Sequence, residues 1–512
     1  MKIQYISKSL LVGVALTAVC VSCSEDKMDE VNKDVNHTTD VPAKLIMTDV
    51  MTSTAFSVIS GDFNLYGGMY VEHETGSHNQ FYNAEIRAGG PSSSSTFNNV
   101  WGGAYTTLKN AKIAIAKCSD GGTQEGNYVT RGVAELLAAY NLAVITDMYG
   151  DTPWKEACDY TVSKTPAIDK QEVIYKDIFA YLDAAIADLQ KSDISEMGAQ
   201  DFIYAGDAQK WLKTAYGLKA RYTMRLIGRS SDVKGDMQKV LDYVSKSYTS
   251  AAEQCSYNMY NQGVNINPFF GVYWTRAAEV ASRSMYDKLD ERKDPRVRRC
   301  YIEPQTNTVV PSKDDKLFKL AHNGELTESQ QEYTTSIYVA AQTAPSLLLS
   351  YHEILFLKAE ALCRLDQKSE AKAALKAAVV AGMANSEENI MAALSSTYWG
   401  GFKNVQKAIT PEEAATYFDT SVAPLFDANA IKETMIQKYI AFWNANGEST
   451  ECYNDVRRMK GLKTDVYALQ NTGKFPLRCP YGNDDTTTNP HIQEAYGDGQ
   501  YVYSEPVWWA GG

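Results

Sequence analysis

Two stretches of this 512-residue chain set aromatic rings among side chains that can take hydroxyl groups. The first, Asn64 to Ser95, interleaves Tyr66, Tyr70, Phe81 and Tyr82 with Asn64, Glu72, His73, Asn83 and Arg87. The second, Gln254 to Thr275, interleaves Tyr257, Tyr260, Phe269, Phe270, Tyr273 and Trp274 with Asn258, Asn261, Asn265 and Asn267. The chemistry this mixture supports is noncovalent. An aromatic face packs on the apolar C–H patch of a sugar ring, and amides, carboxylates or arginine take its hydroxyls. Tyr66, Tyr82, Arg87, Tyr273 and Trp274 are the expected ligand-binding residues, and Trp399, followed by Gly400 and Gly401, is a further loop candidate.

Bond-breaking chemistry has weaker support. Glu72 with Glu74, or Asp147 with Asp151, could supply the two carboxylates of a glycosidase, which must flank the scissile bond at roughly 5 to 10 Å. The chain has no Gly-x-Ser-x-Gly elbow, no phosphate loop and no His-Glu-x-x-His pair among its 6 histidines. No cofactor or metal site is expected. The formal charge of −12 and a pI near 5.2 argue against nucleic acid as a partner, because phosphate binding needs clustered Lys and Arg.

The elements that hold these loops read as helices. Apolar periodicity marks Trp101–Lys117, Val129–Asp147, Val173–Leu189 and Ala208–Ile227. Leu347–Leu365 followed by Ser369–Ala381 forms the clearest pair, with Ala359, Leu362, Ala371, Leu375 and Ala378 on the small and apolar positions of a tetratricopeptide unit. The pairs are irregularly spaced, which predicts a mainly α chain with a degenerate tetratricopeptide-like repeat core, long irregular loops and little β. Asn64–Ser95, Gln254–Thr275 and the segment from Lys463 onward read as non-helical.

The first segment is of a different kind. Lys2 and Lys8 precede an apolar run from Leu10 to Val21, too short to span a bilayer and typical of a signal peptide. Ser22 before Cys23 favours Cys23 over Cys20 as a lipidated residue, and Cys20-x-x-Cys23 is no redox pair because it straddles the cut. The acidic run Ser24 to Glu30 resembles the surface-export signal of Bacteroidetes lipoproteins. Expected boundaries are a signal peptide at 1–22, a lipidated acidic tether at 23–44 and one domain at 45–512. The seven later cysteines are scattered and odd in number, which predicts mostly buried free thiols.

Six motifs then occur in order. They are Asp147-Met148-Tyr149-Gly150-Asp151-Thr152-Pro153-Trp154; Gly206-Asp207 with Lys210-Trp211; Asp294-Pro295-Arg296; Glu353 to Ala361 with Phe356, Leu357 and Glu360; Gln437-Lys438-Tyr439 with Glu451 to Arg458; and Pro476-Leu477-Arg478 to Tyr481 with Asn489-Pro490. Behind a lipoprotein signal, this set resembles the SusD/RagB family of outer-membrane lipoproteins over essentially the whole mature chain. Tyr439 and Tyr453 stand where Trp is more usual in the family, and Gly482 replaces a proline. The resemblance implies a non-enzymatic, surface-exposed lipoprotein anchored on the extracellular face of the outer membrane. Such a protein binds a glycan and delivers it to a SusC-like TonB-dependent transporter. The alternatives are a peptide- or protein-binding lid of a similar transporter, or a surface glycoside hydrolase. The motif residues themselves read as structural. Gly150 ends a helix, Asp207 caps one, and Glu360, Arg457 and Arg458 form internal pairs. Trp101 belongs to the core, and Trp508 and Trp509 tack down the tail.

Overall fold

The Tyr128–Tyr149 helix is apolar on all sides, with alanines and leucines filling most turns, and it is buried over nearly its whole length. A helix of that composition has no solvent face and must lie at the centre of a bundle. It packs between the Asn98–Cys118 and Gln171–Asp188 helices. Its first amides are satisfied from a distance: the Asp193 carboxylate accepts from Val129 N at 2.6 Å and from Thr130 N and Oγ1. Its last turn closes at Gly150, whose φ of +86° suits glycine and whose N–H returns to the Thr146 carbonyl at 2.8 Å.

The computed structural model describes residues 40–87, 97–325, 333–398 and 400–512. The expected signal peptide, Cys23, the end of the Asn64–Ser95 stretch and Trp399 lie outside them. Ala43–Gly512 forms one unit of mainly α architecture. The strands among the described residues are short: Glu74–Gly76 pairs antiparallel with Glu279–Ala281, and Cys255–Tyr257 with Ser346–Leu349.

The four single helices predicted from periodicity are present within a few residues. Asp207 caps the Ala208–Arg225 helix by accepting from Gln209 N and Lys210 N. In the tetratricopeptide-like pair, Ala359, Leu362, Ala371, Leu375 and Ala378 are buried together with Phe356. Two boundaries differ. Residues 346–349 are strand, and the first helix starts at Tyr351, with Ser350 Oγ accepting from Glu353 N. The second helix runs from Lys368 to Leu394, past the expected end at Ala381, and its added turns are held by Asn446 Oδ1, which accepts from both the Asn385 and Asn389 amides.

The stretches read as loops contain helices too. Asp62–Tyr70, Asn79–Glu85 and Pro268–Arg276 are helical. Gly67, which reads as a loop residue, sits mid-helix because a Cβ there would stand 3.2 Å from the Ser449 carbonyl, so a side chain would push the packed Ser449–Gly461 helix away. Pro268 starts its helix at a position where a missing N–H costs nothing, behind Asn267, whose side chain accepts from Phe269 N.

The motif charges form internal pairs. Arg458 binds Glu360 at 2.6 Å and Asp455 at 2.9 Å, Lys438 binds Asp455 at 2.7 Å, and Arg296 binds Asp294 at 2.6 Å. Arg457 donates to the Leu477 carbonyl and lies 4.2 Å over the Tyr453 ring. Trp101 and Trp509 are buried, and Arg229 lies over Trp508, so the tail is held as expected. Among the described residues seven cysteines are free thiols, five of them buried.

Candidate functional site

Trp274 is the exposed member of the five expected ligand residues, with 49% of its surface open. The Pro268–Arg276 helix aims Phe269, Phe270 and Tyr273 inward, and one step further round it points Trp274 outward. Phe270 and Trp274, four residues apart, stack almost parallel, with ring centres 6.1 Å apart and planes 7° apart. The indole is thereby braced from below by a fully buried ring. Tyr398, 44% exposed, leans against it at 5.0 Å and 57°, and also touches Phe270 at 5.6 Å. Two half-exposed aromatic rings at an angle, both packed on a third ring, form a shallow cradle whose ordering entropy is spent before any ligand arrives.

The neighbouring loop supplies polar groups and is held firmly. Asn261 Oδ1 accepts from Gly263 N and Val264 N, and Asn265 Nδ2 donates to the Met259 carbonyl. Gln262 ties the loop to the end of the long 368–394 helix by donating to the Ser395 carbonyl, and its own carbonyl accepts from Gln342 Nε2. These contacts join the loop, the 268–276 helix and the Tyr398 segment into one surface.

The other expected residues lie elsewhere. The sequence reading puts Tyr66 and Tyr273 on the ligand face, but both are buried, at 2% and 6% exposure. Tyr66 packs on Phe81 and Phe97, with ring centres 5.3 and 5.1 Å away, and Tyr273 lies on the inner side of its helix. Their rings fill the core because the segments carrying them are helices with an apolar side, not loops. Tyr82 is half-buried against Val280 and Ala321. Arg87 has a φ of +54°, donates to the Ala84 carbonyl and covers the Tyr70 ring at 4.9 Å. Tyr398 was missed by sequence reasoning. Its signal is the Tyr398-Trp399-Gly400-Gly401 run, of which only the tryptophan stood out.

The four carboxylates that could serve a glycosidase are tied into the fold. Glu72 accepts from Gln470 N and Asn471 N, and Glu74 accepts from Ser336 Oγ and Trp443 Nε1. Asp147 accepts from the Tyr175 hydroxyl and faces Arg225, while Asp151 takes Lys170 and Gln171 N. Burial pushes Glu74 up to about 8 and its cross-strand neighbour Glu279 up to about 7. Both Glu279 oxygens lack a hydrogen-bond partner among the described residues. A carboxyl whose pKa is raised by folding stabilises the protein below about pH 4.5 and loses that contribution as pH rises toward 8. Glu279→Gln is therefore expected to raise stability at pH 8 by about 1 kcal/mol and to flatten the decline between pH 5 and 8. Urea melts at both pH values check it.

Among the described residues, no group of three or more His, Cys, Asp or Glu could hold a metal ion, and no helix is long and apolar enough to cross a membrane. A cleft of about 610 Å³ opens beside the tetratricopeptide-like pair, lined by Tyr351, Leu355, Val380 and several alanines. It shares no lining residue with the Trp274 surface.

A family model described as starch-binding, associating with the outer membrane, matches residues 36–482. The chain belongs to this SusD-like family. A SusD/RagB family protein from Bacteroides thetaiotaomicron is 52% identical, with a TM-score of 0.89 over 92% of this chain and 100% of that one. At 21% identity, two further SusD-like folds each cover 92% of this chain and 100% of their own. One is a SusD homologue from Bacteroides fragilis, with a TM-score of 0.69, and the other a chitin-binding protein, with a TM-score of 0.68. These two share the fold. No curated protein matches the chain.

Proposed function

We propose that this SusD-like protein is a non-catalytic glycan receptor of the outer membrane that captures oligosaccharide on the Trp274–Tyr398 cradle. The observation that carries the reading is the braced, half-exposed indole. A half-exposed aromatic ring held rigid on a buried one is a ready apolar platform, and a sugar ring offers an apolar face of matching size. The starch-binding description of the family and the chitin-binding relative favour a glycan over a peptide. The Glu72, Glu74, Asp147 and Asp151 carboxylates are engaged by the fold, which argues against these two pairs as the carboxylates of a hydrolase.

In this account Cys23 carries the lipid and the tether ends at residue 42, two residues before the expected boundary, because Ala43 is buried at the start of the Ala43–Ser53 helix. The domain then acts as a lid on a SusC-like TonB-dependent transporter at the extracellular face. Affinity-tagged protein purified from outer membranes in mild detergent is expected to bring down a β-barrel transporter. It should also be retarded in gels containing starch or chitin oligosaccharide without releasing reducing sugar. Absence of both the barrel and the retardation contradicts the proposal, and release of reducing sugar by pure protein restores the hydrolase reading. Cys23→Ala is expected to abolish metabolic fatty-acid labelling.

A further inference from the structure

The Trp154 that closes the first family motif does more than pack. It lines a pocket of about 470 Å³ with Lys112, Glu135, Lys155, Asp177 and Tyr181, formed where the Asn98–Cys118, Tyr128–Tyr149 and Gln171–Asp188 helices meet the turn after Pro153. None of these residues belongs to the Trp274 surface. The Trp154 and Tyr181 rings stand 5.9 Å apart at 66°, giving the pocket an aromatic corner. Lys112 Nζ donates to the Ala157 carbonyl and lies 4.9 Å from the Trp154 ring centre.

The polar groups are unevenly satisfied. Trp154 Nε1 and Lys155 Nζ both donate to Asp177 Oδ2, at 2.7 and 2.6 Å, so Oδ1 accepts nothing from the described residues. Glu135 is more than nine-tenths buried, and its Oε2 has no hydrogen-bond partner. Its other oxygen has a 4.0 Å approach from Arg131. A buried acceptor left unpaired is destabilising, so a ligand that brings donors recovers that loss. Lys112 and Lys155 each make one of the three hydrogen bonds an ammonium can donate, so the pocket offers donors beside the Glu135 and Asp177 acceptors. Two lysines and Arg131 beside the two carboxylates disfavour an added cation, and the unpaired carboxylate oxygens disfavour an anion. What fits is a neutral molecule with hydroxyl donors and an apolar face.

The geometry points to a second saccharide site at Trp154–Tyr181, sized for one or two pyranose rings, whose hydroxyls donate to Glu135 Oε2 and Asp177 Oδ1. It is independent of the Trp274 cradle, and the two can fail separately. The test titrates the full chain carrying Trp274→Ala with glucose, N-acetylglucosamine, maltose and chitobiose, read by saturation-transfer NMR. At least one sugar is expected to show transfer with an affinity that Trp274→Ala leaves unchanged. Tyr181→Ala and Glu135→Ala are each expected to weaken it at least fivefold. Glu135→Ala removes a group whose protein contact here is the long 4.0 Å approach of Arg131, and it keeps the test valid if Tyr181→Ala fails to fold. The inference is overturned if none of the four sugars shows transfer, or if transfer survives Glu135→Ala undiminished.

Discussion

Trp274→Ala is expected to lower affinity for the captured oligosaccharide by roughly ten- to a hundredfold, equivalent to about 1.4–2.8 kcal/mol. The size follows from what the indole contributes. It is a large, rigid apolar face held by Phe270 and flanked by Tyr398, so little freedom remains to be lost when a sugar ring settles on it. Residues of this kind carry most of the free energy of an interface, while surrounding polar contacts set orientation. The same substitution should barely affect folding, because half of the side chain already faces solvent. Calorimetric titration paired with a urea melt checks both halves. A melt shifted by several kcal/mol would mean that Trp274 is a core residue in disguise. Tyr398→Ala should show the same pattern with a smaller loss.

Removing Glu360 is expected to do the opposite, with a large loss of stability and no direct effect on the binding surface. Glu360 and Arg458 are each about 1% exposed, and Arg458 reaches both Glu360 oxygens, at 2.6 and 2.8 Å. Arg364 adds a second contact from the next turn, at 2.7 Å. Glu360→Ala leaves the Arg458 guanidinium buried with Asp455 alone, and stranding a buried charge costs about 3–5 kcal/mol. That is a large share of the roughly 5–15 kcal/mol that holds a domain together. Burial alone would push the Glu360 carboxyl up, but Arg458 and Arg364 outweigh it and hold it at about 2. Its folded value lies below the ordinary 4.5, so this contribution is present above about pH 4.5 and is lost as pH falls toward 2. Denaturant melts from pH 3 to 7 should show a steep acid limb that Glu360→Gln flattens while lowering the plateau.

Much of this architecture is readable from residue order. The Tyr128–Tyr149 helix announces itself by continuous apolar and alanine content, and the small residues Ala359, Ala371 and Ala378 mark a close helix pair. Asp207 before Lys210-Trp211 is legible as a cap because short acceptors satisfy the first free amides of a helix. The helices inside the aromatic stretches are not legible in the same way. Gly67 carries the local signature of a loop, and only its contact with the distant Ser449 shows that it permits close packing, whereas Pro268 starts a helix through the adjacent Asn267 cap, a local signal masked by the surrounding Asn and Gly.

The proposed binding surface is legible in kind and only partly in membership. Aromatic and amide content drew notice to the 254–275 stretch, but alternation in sequence does not say which ring faces out. Tyr273 and Trp274 are adjacent, and helix geometry turns one inward and the other outward. Tyr398 joins them from more than a hundred residues away, through a segment tied down by Gln262 and Ser395. Such a partner is invisible without the fold. The charged motif residues show the reverse case. Asp147, Glu360 and Arg458 look like chemistry in sequence, and their near-complete burial with opposite charges makes them framework.

The most direct test of the account is the position of a bound oligosaccharide in a crystal of the full domain soaked with starch or chitin fragments. The account predicts a pyranose ring lying flat on the Trp274 indole with Tyr398 at its edge, its hydroxyls turned toward the Asn261–Asn265 loop. Oligosaccharide bound elsewhere while the Trp274–Tyr398 cradle stays empty would contradict it.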